Sequence, residues 1–171
     1  MCKSVALCAK RLYILLMFGF NIVSLDAKGR LSVPAKYRSD FKSQNQSKIV
    51  ITKDSQYPSL KIYPGVEWEK ISTKLKSLQG LDPIVRNIQW TILGNAHETE
   101  IDVNGRMLLR VPVELQKYAE INDQKQIALV GMGEKFEIWN INSWEMRQTG
   151  GSLSTEILDV VLPESIKSMS F

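Results

Sequence analysis

Two short segments carry residue types able to do chemistry at matching spacing. Leu25-Asp26-Ala27-Lys28-Gly29-Arg30 returns as Ile101-Asp102-Val103-Asn104-Gly105-Arg106. In each, an Asp stands four residues ahead of an Arg, and a Gly directly precedes that Arg. Asp followed by Gly at this spacing is turn chemistry. The Asp side chain accepts a backbone N–H two residues on, and Gly adopts the left-handed backbone easily. A turn of this kind can be purely structural. The Arg at the same place in both copies adds a second possibility. A carboxylate four residues away can hold the guanidinium fork in one rotamer. The N–H groups left over then suit a phosphate oxygen or a guanine edge. From Asp26 to Lys42 the cations Lys28, Arg30, Lys36, Arg38 and Lys42 outnumber the acids Asp26 and Asp40. That surplus favours a polyanion surface around the first turn over a merely solvated face.

Other chemistry is weaker. Asp26 and Asp102 could be imagined as paired catalytic carboxylates, but each has its own Arg, which suits ion pairing better. Gly131-Met132-Gly133 is expected to join two strands; a phosphate loop would open a helix. His97 is the only His, which excludes multi-His metal sites, and a surface or hydrogen-bonded structural role fits it best. Two Cys exclude a Cys-rich zinc cluster and a disulfide framework. No cofactor motif and no metal site is found. Trp68, Trp90, Trp139 and Trp144 read as core and interface anchors rather than a base-stacking platform. The sequence therefore favours a binding protein over an enzyme. A non-DNA-binding assembly or partner-binding module is the alternative.

The elements that must position the two turns come from an internal repeat. The turn segments lie 76 residues apart, Pro34 and Pro112 lie 78 apart, and Ile49-Val50-Ile51-Thr52 and Ile127-Ala128-Leu129-Val130 also lie 78 apart. Leu60-Lys61-Ile62-Tyr63 and Phe136-Glu137-Ile138-Trp139 return to 76, as do Trp68-Glu69 and Trp144-Glu145. Each copy is expected to run strand, turn, strand, short helix opened by Pro, then two strands. The strands are placed at 22–25, 30–33, 48–52 and 60–63, then 98–101, 106–111, 126–130 and 136–139. The helices fall at 35–41 and 113–119.

Between the copies, Trp68, Ile71, Leu75 and Leu78 mark one apolar helix face, ended by Gly80. Asp82-Pro83 then opens a second helix with a cap and a Pro at its first position. Ile84, Ile88, Ile92 and Leu93 are expected to be its buried face. A short helix with Leu153, Ile157, Leu158 and Val161 is expected in the tail.

The chain has 171 residues, 44% hydrophobic and 23% charged, with a formal charge of +4. This suits one domain or two small ones, not a disordered or fibrous chain. Residues 1–16 stand apart: they hold Cys2, Cys8, Lys3, Lys10 and Arg11 and no acid. The apolar run 12–20 after them is too short to span a membrane. It can be read as a signal sequence, although no small-residue cleavage site follows. It can also be read as the result of a misassigned start, with Met17 as the true first residue. Without residues 1–16 three cations go and no acid does, so +4 becomes +1. The positive charge that remains is concentrated around the first turn.

The segment Ser24-Leu25-Asp26-Ala27-Lys28-Gly29-Arg30-Leu31-Ser32-Val33-Pro34-Ala35-Lys36-Tyr37-Arg38 resembles the first repeat of the MraZ family of bacterial transcriptional regulators. Leu129-Val130-Gly131, Phe136-Glu137-Ile138-Trp139, Tyr63-Pro64 with Trp68-Glu69, and the linker 82–96 carry the same resemblance. It covers roughly residues 17–144. It implies an α+β fold of two fused SpoVT–AbrB-type β-α-β-β units. These would pack as a pseudo-two-fold, swapped-hairpin barrel with linking helices. The implied layout is an extension at 1–16, a first unit at 22–69, a helical linker at 70–94, a second unit at 95–145 and a tail at 146–171. It also implies double-stranded DNA as partner, through promoter direct repeats upstream of a division and cell-wall gene cluster, usually repressed. A ring-shaped homo-oligomer and a cytoplasmic, nucleoid-associated location belong to the same expectation, with no membrane partner. The implied DNA contacts are Asp26, Lys28, Arg30, Asp102, Asn104 and Arg106, with Gly29 and Gly105 as turn glycines.

The resemblance favours Met17 as the start. It also exposes departures: Gly105 to Pro112 is longer than usual, with Arg110-Val111 looking inserted, so a bulge is expected at the strand end. Asn104 is uncharged where Lys28 is cationic, so the second copy should attract phosphate less. Trp90 stands where relatives often carry a basic residue.

Overall fold

The computed structural model describes residues 17–43, 47–78, 82–102 and 105–150. The proposed extension 1–16, Gly80, Asn104 and the expected tail helix lie outside the described residues. The elements follow the repeat. In the first copy, strands β1 (Met17–Ser24) and β2 (Arg30–Ser32) precede helix α1 (Ala35–Ser43), then β3 (Lys48–Lys53) and β4 (Leu60–Pro64). The linker helices are α2 (Gly65–Ser77) and α3 (Pro83–Ile92). The second copy is β5 (His97–Glu100), β6 (Leu108–Arg110), α4 (Val113–Tyr118), β7 (Gln126–Gly133) and β8 (Phe136–Trp139). One unit of the chain ends at Asn140, and the second begins at Ile141 with helix α5 (Ile141–Gly150).

Pairing is antiparallel throughout. Six strands form a sheet in the order β1-β7-β8-β4-β3-β5, while β2 and β6 form a separate two-stranded ladder. The sheet is open, with β1 and β5 as its edges, where a closed barrel was expected. The strands that would continue it, β2 and β6, form their ladder with each other, and β2 touches the end of β1 through a single antiparallel bridge between Leu25 and Leu31. Exchanging the two copies reverses the strand order onto itself. Each copy's first strand pairs with the other copy's third, β1 with β7 and β5 with β3. The copies are therefore interleaved and share one core. Leu31, Phe41, Ile49, Ile51 and Leu60 from the first are buried with Met107, Leu109, Ile127, Leu129 and Ile138 from the second. Burial of this interleaved apolar surface is the main force holding the copies together.

Three sequence expectations change. Gly131-Met132-Gly133 is not a turn; it lies within β7, paired to Met17, Phe18 and Gly19. Glycine is needed at 131 because a Cβ there would lie 2.7 Å from the Met17 carbonyl carbon. Ile84 is 71% exposed rather than buried, and in α3 only Ile92 is fully covered. Trp90 is 65% exposed, not a core anchor, and lies beside the Arg86 guanidinium at 5.9 Å. The α3 start is as expected: the Asp82 side chain accepts from Ile84 N at 2.7 Å, with Pro83 at the first position. His97 is exposed in the edge strand β5.

Candidate nucleic-acid interface

The first turn is built around Asp26. Its Oδ1 accepts from Lys28 N and Arg30 N, each at 2.9 Å. Gly29 N donates to Asp26 O at 2.9 Å, and Asp26 N donates to Arg30 O at 2.9 Å. The other carboxylate oxygen, Oδ2, takes Arg30 Nε and Nη2, each at 2.8 Å. One carboxylate thus folds the turn and orients the guanidinium. The Arg30 hydrogen bonds hold the Asp26 carboxyl below its ordinary range. The Arg30 and Asp26 side chains remain 38% and 41% exposed, so the remaining guanidinium N–H groups face water. Gly29 takes φ +69, the left-handed backbone anticipated for it.

The second turn starts the same way, with Gly105 N donating to Asp102 O at 3.2 Å. It then diverges. The ladder pairs Arg30 with Arg110, Leu31 with Leu109 and Ser32 with Leu108. Val111 N donates to Gly29 O at 2.8 Å, and Val33 N donates to Met107 O at 3.0 Å. By this register the counterpart of Gly29 is Met107, and the counterpart of Arg30 is Leu108. Met107 is indeed left-handed, with φ +48. Such a backbone is uncommon for a side chain larger than Gly, and Met107 offsets its cost by complete burial.

The two additional residues are therefore taken up before β6. Arg110 and Val111 are regular strand and strand end, not the bulge expected there. Arg106 is exposed in the turn, outside the ladder, where its backbone carbonyl accepts from Ser32 Oγ at 3.3 Å. The two turns do not sit side by side; they occupy opposite ends of a three-pair ladder about 7 Å long.

Two helix residues complete these ends: Arg38, which the sequence places among the cations around the first turn but which is used within the fold, and Gln116. Arg38, from α1, is half-buried and donates through Nε to Val33 O at 2.8 Å and through Nη2 to Ser32 Oγ at 2.9 Å. At the other end Gln116, from α4, donates through Nε2 to Val111 O at 2.7 Å. Arg38 and Gln116 lie 78 residues apart and serve equivalent carbonyls. The signal for them was present in the repeat offset, but it points to a role only once the ladder register is known.

Among the described residues no group of His, Cys, Asp and Glu could hold a metal ion. No described helix is long and apolar enough to cross a membrane.

The comparisons with known proteins agree with this duplicated architecture. The family model that matches is that of the MraZ protein, over residues 16–89 and 92–152. A relative from Colwellia psychrerythraea is 38% identical over 152 residues, 89% of this chain and 97% of its own length. One from Azotobacter vinelandii is 39% identical over 153 residues, 84% of this chain and 98% of its own. One from Tolumonas auensis is 44% identical over 126 residues, 74% of this chain and 80% of its own. All three carry the name transcriptional regulator MraZ. Model and relatives each cover most of the sequence, and the chain belongs to the MraZ family.

Proposed function

We propose that this chain is a non-catalytic, DNA-binding transcriptional regulator. The observation that carries the reading is the exposed Arg30 guanidinium, clamped to Asp26 at 2.8 Å in a rigid turn. Preorientation lowers the entropy lost when such a fork takes a phosphate oxygen or a guanine edge. Lys28 adds charge at the turn tip, and Asp102, Asn104 and Arg106 form the second, less cationic contact region. The names of the relatives support the same reading.

We further assign the chain to repression of the division and cell-wall gene cluster containing its own gene, in the cytoplasm and on the nucleoid. Binding to direct repeats by a ring of subunits would multiply weak single contacts through effective concentration. Support for self-association comes from β1. Phe18, Phe20 and Ile22, at alternate positions of this edge strand, are 60%, 47% and 53% exposed. Met132, opposite Phe18, is 51% exposed. An apolar edge of this kind is a liability unless it is covered. The reversing strand order supports two fused SpoVT–AbrB units with exchanged hairpins.

The test is a gel shift with the DNA upstream of the chain's own gene, run across a salt series. Binding should fall steeply with salt, because neutralised phosphates release counterions. Arg30→Ala with Arg106→Ala should abolish the shift. Undiminished binding by that double variant would refute the assignment. Sedimentation of the same samples should show an oligomer that Phe20→Asp dissociates.

A further inference from the structure

We infer that Arg110 is a phosphate-contacting residue, forming with Arg30 a two-guanidinium clamp at one end of the β2–β6 ladder. The inference rests on the DNA-binding reading and says which contacts carry it.

Arg110 pairs directly with Arg30 in the antiparallel register. Directly opposite residues project to the same face, with Cβ atoms about 5 Å apart. Both side chains reach solvent. Like charges in that relation oppose sheet formation. Asp26 compensates Arg30, at 2.8 Å, and among the described residues Arg110 forms no ion pair. The arrangement therefore leaves one uncompensated guanidinium facing a preoriented one. An anionic oxygen group bridging the two relieves the repulsion and uses the free N–H groups of both. A DNA phosphate fits that description, and Lys28 in the same turn enlarges the positive field.

The pseudo-two-fold sharpens the assignment. At the opposite end the counterparts of Arg30 and Arg110 are Leu108 and Ser32. The cations there are Arg106, exposed in the turn outside the ladder, and Arg38, whose Nε and Nη2 are committed to Val33 O and Ser32 Oγ, so no two guanidiniums face each other across the strands. The counterpart of Arg38 at the clamp end is the neutral Gln116. The fold is symmetric, but the charge on it is not. The clamp is also composite: Arg30 comes from the first copy and Arg110 from the second. Neither copy alone contains it.

The experiment uses the full chain with duplex DNA from upstream of its own gene, and a scrambled duplex of equal length. Arg110→Gln should weaken binding to both duplexes about tenfold at moderate salt. It should reduce the salt slope by about 0.9, the value of one phosphate contact. The ratio between the two duplexes should stay the same, because a phosphate contact carries no sequence information. Its Tm should hold or rise, because a repulsion has been removed. Lys74→Gln, on the exposed face of α2, controls for net charge and should leave the slope as it is. If the unsubstituted chain binds and Arg110→Gln keeps its affinity and slope, the clamp is wrong while the DNA reading stands. If Arg110→Gln lowers Tm along with binding, Arg110 is structural and the clamp is equally wrong. If the unsubstituted chain binds neither duplex at low salt, both the DNA reading and the clamp fall.

Discussion

Gly29→Ala tests the description of the first turn most directly. Gly29 has φ +69, where an Ala costs about 1–2 kcal/mol relative to Gly. Space is the second problem. A Cβ built on Gly29 collides with Gln116 Nε2 and lies 3.1 Å from Val111 O and 3.2 Å from Gln116 Cδ. Gln116 is 7% exposed and donates to Val111 O at 2.7 Å, so it has little room to move. Displacing it leaves a buried carbonyl unpaired, which costs about 1–3 kcal/mol. The combined destabilisation is about 2–5 kcal/mol.

Urea unfolding of four proteins resolves the two terms: the parent, Gly29→Ala, Gln116→Ala and the double variant. Once Gln116 is truncated, the collision is gone and the carbonyl is already unpaired. Gly29→Ala should then cost only its backbone strain. The coupling energy should be about 1–3 kcal/mol, well above the additivity error of about 0.5 kcal/mol. Met107 shows that the fold accepts a left-handed side chain at the equivalent place when its surroundings leave space. Additive effects would mean that Gln116 does not close the site, and the packing argument would fail.

Other expectations concern the body that carries the turns. Asp54 is 3% exposed, pairs with Lys61 Nζ at 3.0 Å and accepts from Gln56 N at 2.8 Å. Asp54→Ala strands a largely buried ammonium and should cost about 3–5 kcal/mol in urea unfolding. A loss below about 1 kcal/mol would show that Lys61 escapes to solvent. Burial, followed by the nearby charges of Asp54 and Glu137, pushes the Tyr63 hydroxyl up to about 12 from 10.0. The unfolded chain loses this proton first. Tyr63 therefore contributes stability that is intact below pH 10 and declines as pH rises toward about 12. The decline should reach about 2–3 kcal/mol and be absent in Tyr63→Phe, with the tyrosinate absorbance reporting the titration.

Much of the architecture is legible in the sequence because the duplication samples each pattern twice. Pro34 and Pro112 both stand directly before helices, Pro112 as the N-cap of α4 and not at its first helical position as expected, and the β-branched run at 49–52 and its apolar counterpart at 127–130 both lie in central strands. Asp82-Pro83 opens α3 as its residue types dictate. These are local properties: a missing N–H, a branched Cβ, a carboxylate two residues from a free N–H. The Asp26 turn belongs with them, since every partner of its carboxylate lies within four residues.

What could not be read locally depends on strands meeting across the molecule. Aligning Gly29 with Gly105 follows from the motif, yet the ladder aligns Gly29 with Met107. The left-handed residue is set by where the chain must bend into the ladder, and motif position does not report that. Gly131 and Gly133 look like a turn until β1 is seen lying against them, where the chain at Met17 leaves no space for a Cβ at 131. Ile84 fits the period of a buried helix face, but it is 71% exposed and none of the described residues covers it, because periodicity shows which residues share a face and not what packs there. The meeting of Arg30 with Arg110 is a matter of register alone, joining residues 80 apart in the chain. The sequence by itself determined most of the local elements and the first turn, through short-range sterics and hydrogen bonding. The tertiary structure decided which turn residues correspond and which cations converge, because only strand pairing and burial bring distant segments into one register.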